Sequence, residues 1–361
     1  MDPLHYQLRA LVKDSGVAEF RPGMNIHTRE NWQRAPTPTY SELKVCVPAR
    51  LHFGMVDHSR RMRGGQASGG GIGTSLDACE TSIIVTNDRV DPSLTSDSSV
   101  QHLIHVFEEL LNSKQMVSVC IENKTSDHRH MGLGSHSSKL VATALGINVL
   151  YGWPFSLNEL YEIIVSNYVE SSEDGEHVHW EGATGVGILA MLYGGVVWVR
   201  KDGQLLERNE CTGMYAVYGS LDGPAVRKNP SVDDHIRTYI NYRKTTNIEL
   251  KRRATQLAPA FHSGSATTLF ENLHWFSELG NFTTLSDMYD MNTVSNLCEM
   301  VQKNGALFCG ISSRGPTFFA ICASQSIAEP LLNILDNQTR GEISAHNLSA
   351  IGGKYHCDLK Q

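Results

Sequence analysis

Between His130 and Gly146 the chain reads His130-Met131-Gly132-Leu133-Gly134-Ser135-His136-Ser137-Ser138, followed without a break by Lys139-Leu140-Val141-Ala142-Thr143-Ala144-Leu145-Gly146. Small flexible residues, a cluster of hydroxyls and then an apolar run at helical spacing are how a chain builds an anion pocket at a helix start. Glycines let backbone N–H groups turn toward a ligand, and the helix adds about half a positive charge at its N-terminus. Phosphate is the expected guest. Ser137 and Ser138 would then hold a phosphate oxygen or a magnesium ion. The same letters also form an ordinary capped turn before a helix, so the loop gains meaning only from its neighbours.

Composition narrows the setting. The 361 residues are 41% hydrophobic and 19% charged, which suits one large or two medium globular domains. A net charge of −7 argues against a nucleic-acid surface, which needs clustered Lys and Arg. Met1 to Phe20 is interrupted by Arg9, Lys13, Asp14 and Glu19, unlike a signal peptide, and no apolar run reaches the roughly 20 residues of a membrane span. The expectation is a cytoplasmic protein without a membrane partner. Eight cysteines (Cys46, Cys79, Cys120, Cys211, Cys298, Cys309, Cys322, Cys357) show no Cys-x-x-Cys pair, so they read mostly as buried thiols rather than as a zinc knuckle or disulfide framework.

Along the chain, residues 1–40 read as an extension, set apart by Pro22, Pro36 and Pro38 and containing a short helix over 4–13. Strands are expected at Leu43 to Val47, Thr81 to Thr86, Val117 to Ile121 and Tyr215 to Tyr218. Helices are expected at Val100 to Leu111, Lys139 to Tyr151, Leu157 to Tyr168, and over 233–257, 266–279 and 290–303. On Lys139 to Tyr151 the residues Leu140, Val141, Ala144, Leu145 and Val149 form a core-facing stripe. Val186 to Val199 suits a buried helix end or a strand. Ala306 to Gly310 and Thr317 to Cys322 read as a β-pair around a glycine turn. Strands and helices alternate without a strict βαβ repeat, which favours an α+β fold.

Three more segments carry possible chemistry. Pro48-Ala49-Arg50-Leu51-His52-Phe53-Gly54-Met55-Val56-Asp57 precedes a basic stretch and Gly69-Gly70-Gly71-Ile72-Gly73; Arg50, Arg60, Arg61 and Arg63 suit carboxylate or phosphate clamps, or else a solvated hairpin loop. Glu181-Gly182-Ala183-Thr184-Gly185-Val186-Gly187 is a small-residue loop opening an apolar element, also readable as a close-packing device. Gly310-Ile311-Ser312-Ser313-Arg314-Gly315-Pro316-Thr317 is a second glycine-serine turn. Four such loops suggest convergence on one phosphorylated ligand. Spacing does not assemble a metal site from His128, His130, His136, His177 and His179, since a histidine-rich loop is more often hydrogen-bonded or solvated.

The order Pro48-Ala49-Arg50, then Met131-Gly132-Leu133-Gly134-Ser135, then Ser312-Ser313-Arg314-Gly315-Pro316-Thr317 resembles the three motifs of the GHMP kinase superfamily over most of residues 43–325. Arg50 to Asp57 with Gly70 to Gly73, Thr184-Gly185-Val186-Gly187 with Tyr193-Gly194-Gly195, and the Ser-Ser-x-Gly-Pro-Thr turn look like its β-ribofuranosylaminobenzene 5′-phosphate synthase branch, including C-nucleoside synthases of the formycin and pyrazofurin kind. The resemblance implies a two-lobed α+β fold, with a ribosomal-protein-S5-like half over 41–205 and a ferredoxin-like half over 206–361. It implies an enzyme that joins phosphoribosyl diphosphate to an aromatic or heteroaromatic carboxylate, releasing diphosphate and CO2, with Mg2+ and a homodimeric state. Carried over by position, Arg50, His52, Asp57 and Glu181 become the catalytic candidates. Gly132, Leu133, Gly134, Ser135, His136, Ser137, Ser138, Thr184, Gly185, Ser312, Ser313 and Arg314 would hold the phosphoribosyl diphosphate, with Ser138 on magnesium. Arg314 departs from the branch, which usually carries Trp there. The alternative is an ATP-dependent small-molecule kinase, which needs the same loop plus an adenine pocket and a catalytic Asp or Lys.

Overall fold

The computed structural model describes residues 18–57, 65–87, 97–112, 117–122, 131–221, 249–250, 252–253, 255–277, 285, 288–336 and 343–356. The helix expected over 4–13, most of that expected over 233–257, and Arg60, Arg61, Arg63, His128, His130 and Cys357 lie outside them.

A long hairpin organises the first half. Strand β1 (Glu42–Gly54) and strand β2 (Gly71–Thr86) pair antiparallel from Glu42↔Thr86 to Gly54↔Ile72. Helix α1 (Ser98–Leu110) follows, then β3 (Ser118–Ile121) on β2, helix α2 (Ser135–Leu150) and helix α3 (Leu157–Ser166). A capping box starts α3: the Glu159 backbone N–H donates to Ser156 Oγ, and the Glu159 carboxylate accepts from the Ser156 N–H. A small hairpin of β4 (Val169–Ser171) and β5 (Val178–Trp180) leads to helix α4 (Val186–Tyr193), then β6 (Val196–Val199) and β7 (Leu205–Asn209). The stretch from Val186 to Val199 is therefore a helix and a strand, divided at Gly194-Gly195. Beyond residue 205, β7 still extends this sheet, and β12 (Lys354–His356) returns to pair with β1. The strand order is β12-β1-β2-β6-β7, with β3 also on β2.

In the second half, β8 (Tyr215–Ser220), β9 (Phe308–Ile311), β10 (Thr317–Cys322) and β11 (Ser344–Asn347) form an antiparallel sheet in the order β11-β8-β10-β9. This is a ferredoxin-like arrangement. The expected helix over 266–279 is two short pieces, α6 (Ala266–Glu271) and α7 (His274–Ser277), preceded by α5 (Ala258–His262). Helices α8 (Met291–Lys303) and α9 (Gln325–Asp336) complete the lobe. Their stripes, including Val294, Leu297, Val301, Leu331 and Leu335, pack on Val217, Phe318 and Ala320 from one sheet face. The other face carries Phe308 and Phe319; Phe53 of β1 meets Phe308 and Phe270 of α6 edge-on and Phe319 at a tilt, and Phe270 stacks on Phe308, so one aromatic cluster joins both sheets.

Three expectations change. Helix α2 shows no single core stripe: every residue from Leu140 to Leu150 is buried, Thr143 and Asn148 included, because α2 is enclosed by the β1–β2 hairpin, α1 and α4. Residues 18–40 are not a loose appendage. Trp32 is 2% exposed within the first core, and Phe20 bridges Val178 on β5; aromatic area of that size drives the segment onto the lobe. Cys46 and Cys79 are joined as a disulfide across β1 and β2, with Cα atoms 5.9 Å apart, whereas Cys211, Cys298, Cys309 and Cys322 are buried thiols and Cys120 is exposed. Strand pairing, invisible in the spacing, brings Cys46 beside Cys79.

Gly146 sets how closely α2 approaches β2. A Cβ there would stand 2.5 Å from Val85 Cγ2 and 3.4 Å from Ile83 Cδ1. Gly146→Ala is expected to destabilise the protein by about 1–3 kcal/mol through overpacking, read from urea unfolding.

Candidate active site

Arg50 lies on β1 and its side chain runs under two helix starts. Its backbone N–H donates to Leu133 O (2.9 Å) and Nη1 donates to Gly132 O (2.8 Å). A Cβ at Gly134 would fall 2.8 Å from Arg50 Cγ, and one at Gly187 would fall 3.1 Å from Arg50 Nε. Gly134 is the N-cap of α2 (φ 89°), and Gly185 is the N-cap of α4 (φ 83°). Both caps use the left-handed conformation that glycine adopts cheaply, and both helix N-termini therefore converge on one guanidinium. Nε is buried and has no hydrogen-bond partner among the described residues. Burial lowers Arg50 to about 10, against the pull of Tyr168 and Glu80; it remains a cation at neutral pH.

The turn at Ser312 to Thr317 locks onto the same loop. Ser312 Oγ donates to Gly132 O (2.6 Å) and accepts from the His52 N–H (3.0 Å). Ser313 N–H donates to His52 O (2.9 Å), and Thr317 N–H and hydroxyl both donate to Met131 O. The backbone O of Arg314 accepts from Tyr289 OH (2.9 Å). Thr184 Oγ1 lies 3.3 Å from His52 Nε2 and accepts from the Val186 N–H (3.3 Å), capping α4. The structure thus brings together Arg50, His52, Gly132, Leu133, Gly134, Thr184, Gly185, Ser312 and Ser313. Asp57 is buried at the end of the β1 connection, where its N–H donates to Gly69 O (3.0 Å).

The hydroxyls divide by direction. Ser137 Oγ is 2.8 Å from Tyr168 OH, and a Cβ on Gly187 would come within 3.7 Å of it, so Ser137 stands between the two helix starts. His136 Nε2 hydrogen-bonds Val169 O (2.8 Å). The reading of Ser138 as the magnesium ligand needs correction. Its side chain is completely buried, and its hydroxyl is spent on Thr81 Oγ1 (2.5 Å) and Ser135 O (2.9 Å). Helical periodicity turns Ser138 into the core while Ser135 and Ser137 remain half-buried at the helix start.

One group escaped the sequence analysis. Glu170 and His179 are cross-strand partners on β4 and β5, and Glu181 follows two residues after His179; their potential ligand atoms all lie within 4.8 Å of one another. Burial raises the Glu181 carboxyl, the Glu170 charge raises it further, and Arg314 opposes both. Arg314 and Glu181 thus lie close enough to sense each other across the site. The available signal was the His179-x-Glu181 spacing at the end of β5, but Glu170 joins them only through the hairpin register. His177, grouped with His179 by sequence, turns away to Asp174 (2.6 Å).

No family model matches this chain, and no curated protein matches it by sequence. Its architecture is that of the GHMP kinase fold. Solved structures that share it include the homoserine kinase from Cytophaga hutchinsonii, at TM-score 0.59 and 15% identity over 92% of this chain and 100% of that one. Another is the mevalonate diphosphate decarboxylase from Staphylococcus aureus, at TM-score 0.60 and 13% identity over 88% of this chain and 98% of that one. Among the described residues no helix is long and apolar enough to cross a membrane.

Proposed function

We propose that this protein is a phosphoribosyl diphosphate-dependent C-glycoside synthase. The observation that carries the reading is the Arg50 cradle, a buried guanidinium with an unpartnered Nε beneath the N-termini of α2 and α4. Such a site stabilises charge that develops on a leaving diphosphate. The loop that opens α4 beside it contributes Thr184, Gly185, Val186 and Gly187, small residues that leave room for a phosphorylated ligand. Lys139, the basic residue that follows the first turn of α2, is occupied by Asp97 (2.8 Å).

In this reading the aromatic ring carbon attacks ribose C1 as the C1–O bond to diphosphate breaks. The bond from that ring carbon to its carboxylate then cleaves, CO2 leaves, and the electron pair restores aromaticity. No net proton is taken or given. Arg50 and the α2 N–H groups hold the departing diphosphate, Arg314 holds an anionic group of either substrate, and His52 and Glu181 orient the acceptor. Of the loop hydroxyls, Ser135 and Ser137 suit a magnesium-bound diphosphate and Ser138 does not; magnesium when bound would neutralise diphosphate charge. A homodimer in the cytoplasm remains part of the proposal.

The kinase reading draws support from the fold: the homoserine kinase above is one neighbour, and another, MDDEF, has been solved in complex with MVAPP, AMPPCP and magnesium. One assay separates the two. The protein and Mg2+ are incubated with phosphoribosyl diphosphate or ATP and a panel of aromatic carboxylates, following diphosphate, ADP and CO2. Diphosphate and CO2 in equal amounts are expected; ADP with no diphosphate overturns the synthase reading.

A further inference from the structure

A tyrosine that none of the glycine-rich loops contains reaches the start of α2. Tyr168 lies between α3 and β4 and is 7% exposed. Its carbonyl accepts from the Glu181 N–H (3.1 Å), which ties its backbone to the end of the β4–β5 hairpin. Its ring meets the His136 ring edge-on, with centroids 5.2 Å apart, and His136 is itself held by Nε2 donating to Val169 O (2.8 Å). The phenol oxygen is thereby delivered to Ser137 Oγ at 2.8 Å.

Which of the two hydroxyls donates decides what Ser137 can do. Each carries one proton and two lone pairs. Among the described residues, each makes this hydrogen bond and no other. Burial pushes the Tyr168 hydroxyl above the ordinary phenol range, against the pull of the Ser137 bond and of Arg50, so Tyr168 is a neutral O–H donor throughout the neutral range. An anion accepts hydrogen bonds and donates none. With a phosphate oxygen at the start of α2, Ser137 therefore turns its proton to the anion and takes the Tyr168 proton on its oxygen, and each bond polarises the next. Gly187 marks the meeting place. A Cβ there would lie 3.1 Å from Arg50 Nε and 3.7 Å from Ser137 Oγ, so the bare face of Gly187 stands between the unpartnered Arg50 N–H and the Ser137 hydroxyl.

We propose that Tyr168 is a positioning residue of this cradle: its hydroxyl donates to Ser137 and so aims the Ser137 proton at a diphosphate oxygen that Arg50 also holds. A hydroxyl already turned to the leaving group costs no reorganisation when charge develops there. The inference rests on the phosphate cradle of the proposed function, and it is the same whether the bound group belongs to phosphoribosyl diphosphate or to ATP.

The test is calorimetric titration of the full-length protein and its variants with inorganic pyrophosphate in the presence of Mg2+, beside thermal melts without ligand. Ser137→Ala is expected to weaken pyrophosphate binding about tenfold or more, since a hydrogen bond to a charged group is lost. Tyr168→Phe keeps the ring against His136 and is expected to weaken binding about three- to tenfold with little change in melting temperature. The double variant decides between positioning and packing. Tyr168→Phe added to Ser137→Ala is expected to leave the affinity of Ser137→Ala unchanged within about twofold, because the tyrosine acts only through the serine. Equal weakening by Tyr168→Phe in both backgrounds makes Tyr168 a packing residue and overturns the proposal, as does a melting temperature far below the parent. Tight pyrophosphate binding that Tyr168→Phe does not change overturns this inference alone. A parent protein that binds no pyrophosphate overturns the phosphate cradle and the inference together.

Discussion

Arg50→Met is expected to lower kcat/KM for diphosphate release about 100- to 1,000-fold while leaving the melting temperature within a few degrees of the parent protein. The separation follows from the environment. Arg50 Nε is enclosed without a partner among the described residues, and burial already weakens its hold on the proton, so the fold gains little from the charge. Among the described residues, the one side-chain bond Arg50 makes to the loop is to Gly132 O, which keeps its second donor, Ser312 Oγ, at 2.6 Å when Arg50 is gone. Methionine fills much of the slot between Gly134 and Gly187. Steady-state kinetics beside thermal melts decide the matter. A variant that keeps its turnover removes Arg50 from the site, and one that melts far below the parent makes Arg50 a structural residue.

The largest stability effect is expected at Asp97. Its carboxylate accepts from Lys139 Nζ (2.8 Å), Ser99 Oγ (2.5 Å), Ser171 Oγ (3.1 Å) and the Ser99 and Val100 N–H groups that start α1. The side chains of Lys139 and Asp97 are 12% and 16% exposed, so removing one leaves the other poorly solvated. Asp97→Ala is expected to cost about 3–5 kcal/mol, measured by chemical unfolding at neutral pH. The acid limb gives an independent check. Burial alone would push the Asp97 carboxyl up, but the Lys139 charge and the hydrogen bonds from Lys139 and Ser99 outweigh it and hold the carboxyl well below the ordinary carboxylate range. A carboxylate depressed in the folded state contributes stability above its unfolded value of about 3.9, and that stability is lost as pH falls through the folded value. The parent protein should therefore lose stability below about pH 4 more steeply than Asp97→Ala; parallel curves would mean that the pair contributes little. Because Lys139 directly follows the first turn of α2, the same substitution should loosen the phosphate loop.

Local signals carried much of the fold. Apolar alternation marked β1 and the 3.6-residue period marked α1 and α8, because each element buries one face whose spacing is written along the chain. The glycine-to-helix junctions at Gly134 and Gly185 were equally legible, since only a left-handed residue permits those turns. Periodicity failed on α2, where enclosure on all sides erases the polar face, and on Trp32, whose partners are far away in sequence.

The sequence by itself determined the loops that suit phosphate and the order in which they come, since glycine, hydroxyl and helix-start signals act over a few residues. Only the tertiary structure decided which side chains share a site. It placed Arg50 beneath two helix N-termini, turned Ser138 into the core, and set Glu170 against His179 and Glu181. Those choices depend on strand register and helix rotation, and a shift of one residue in either sends a side chain to the opposite face.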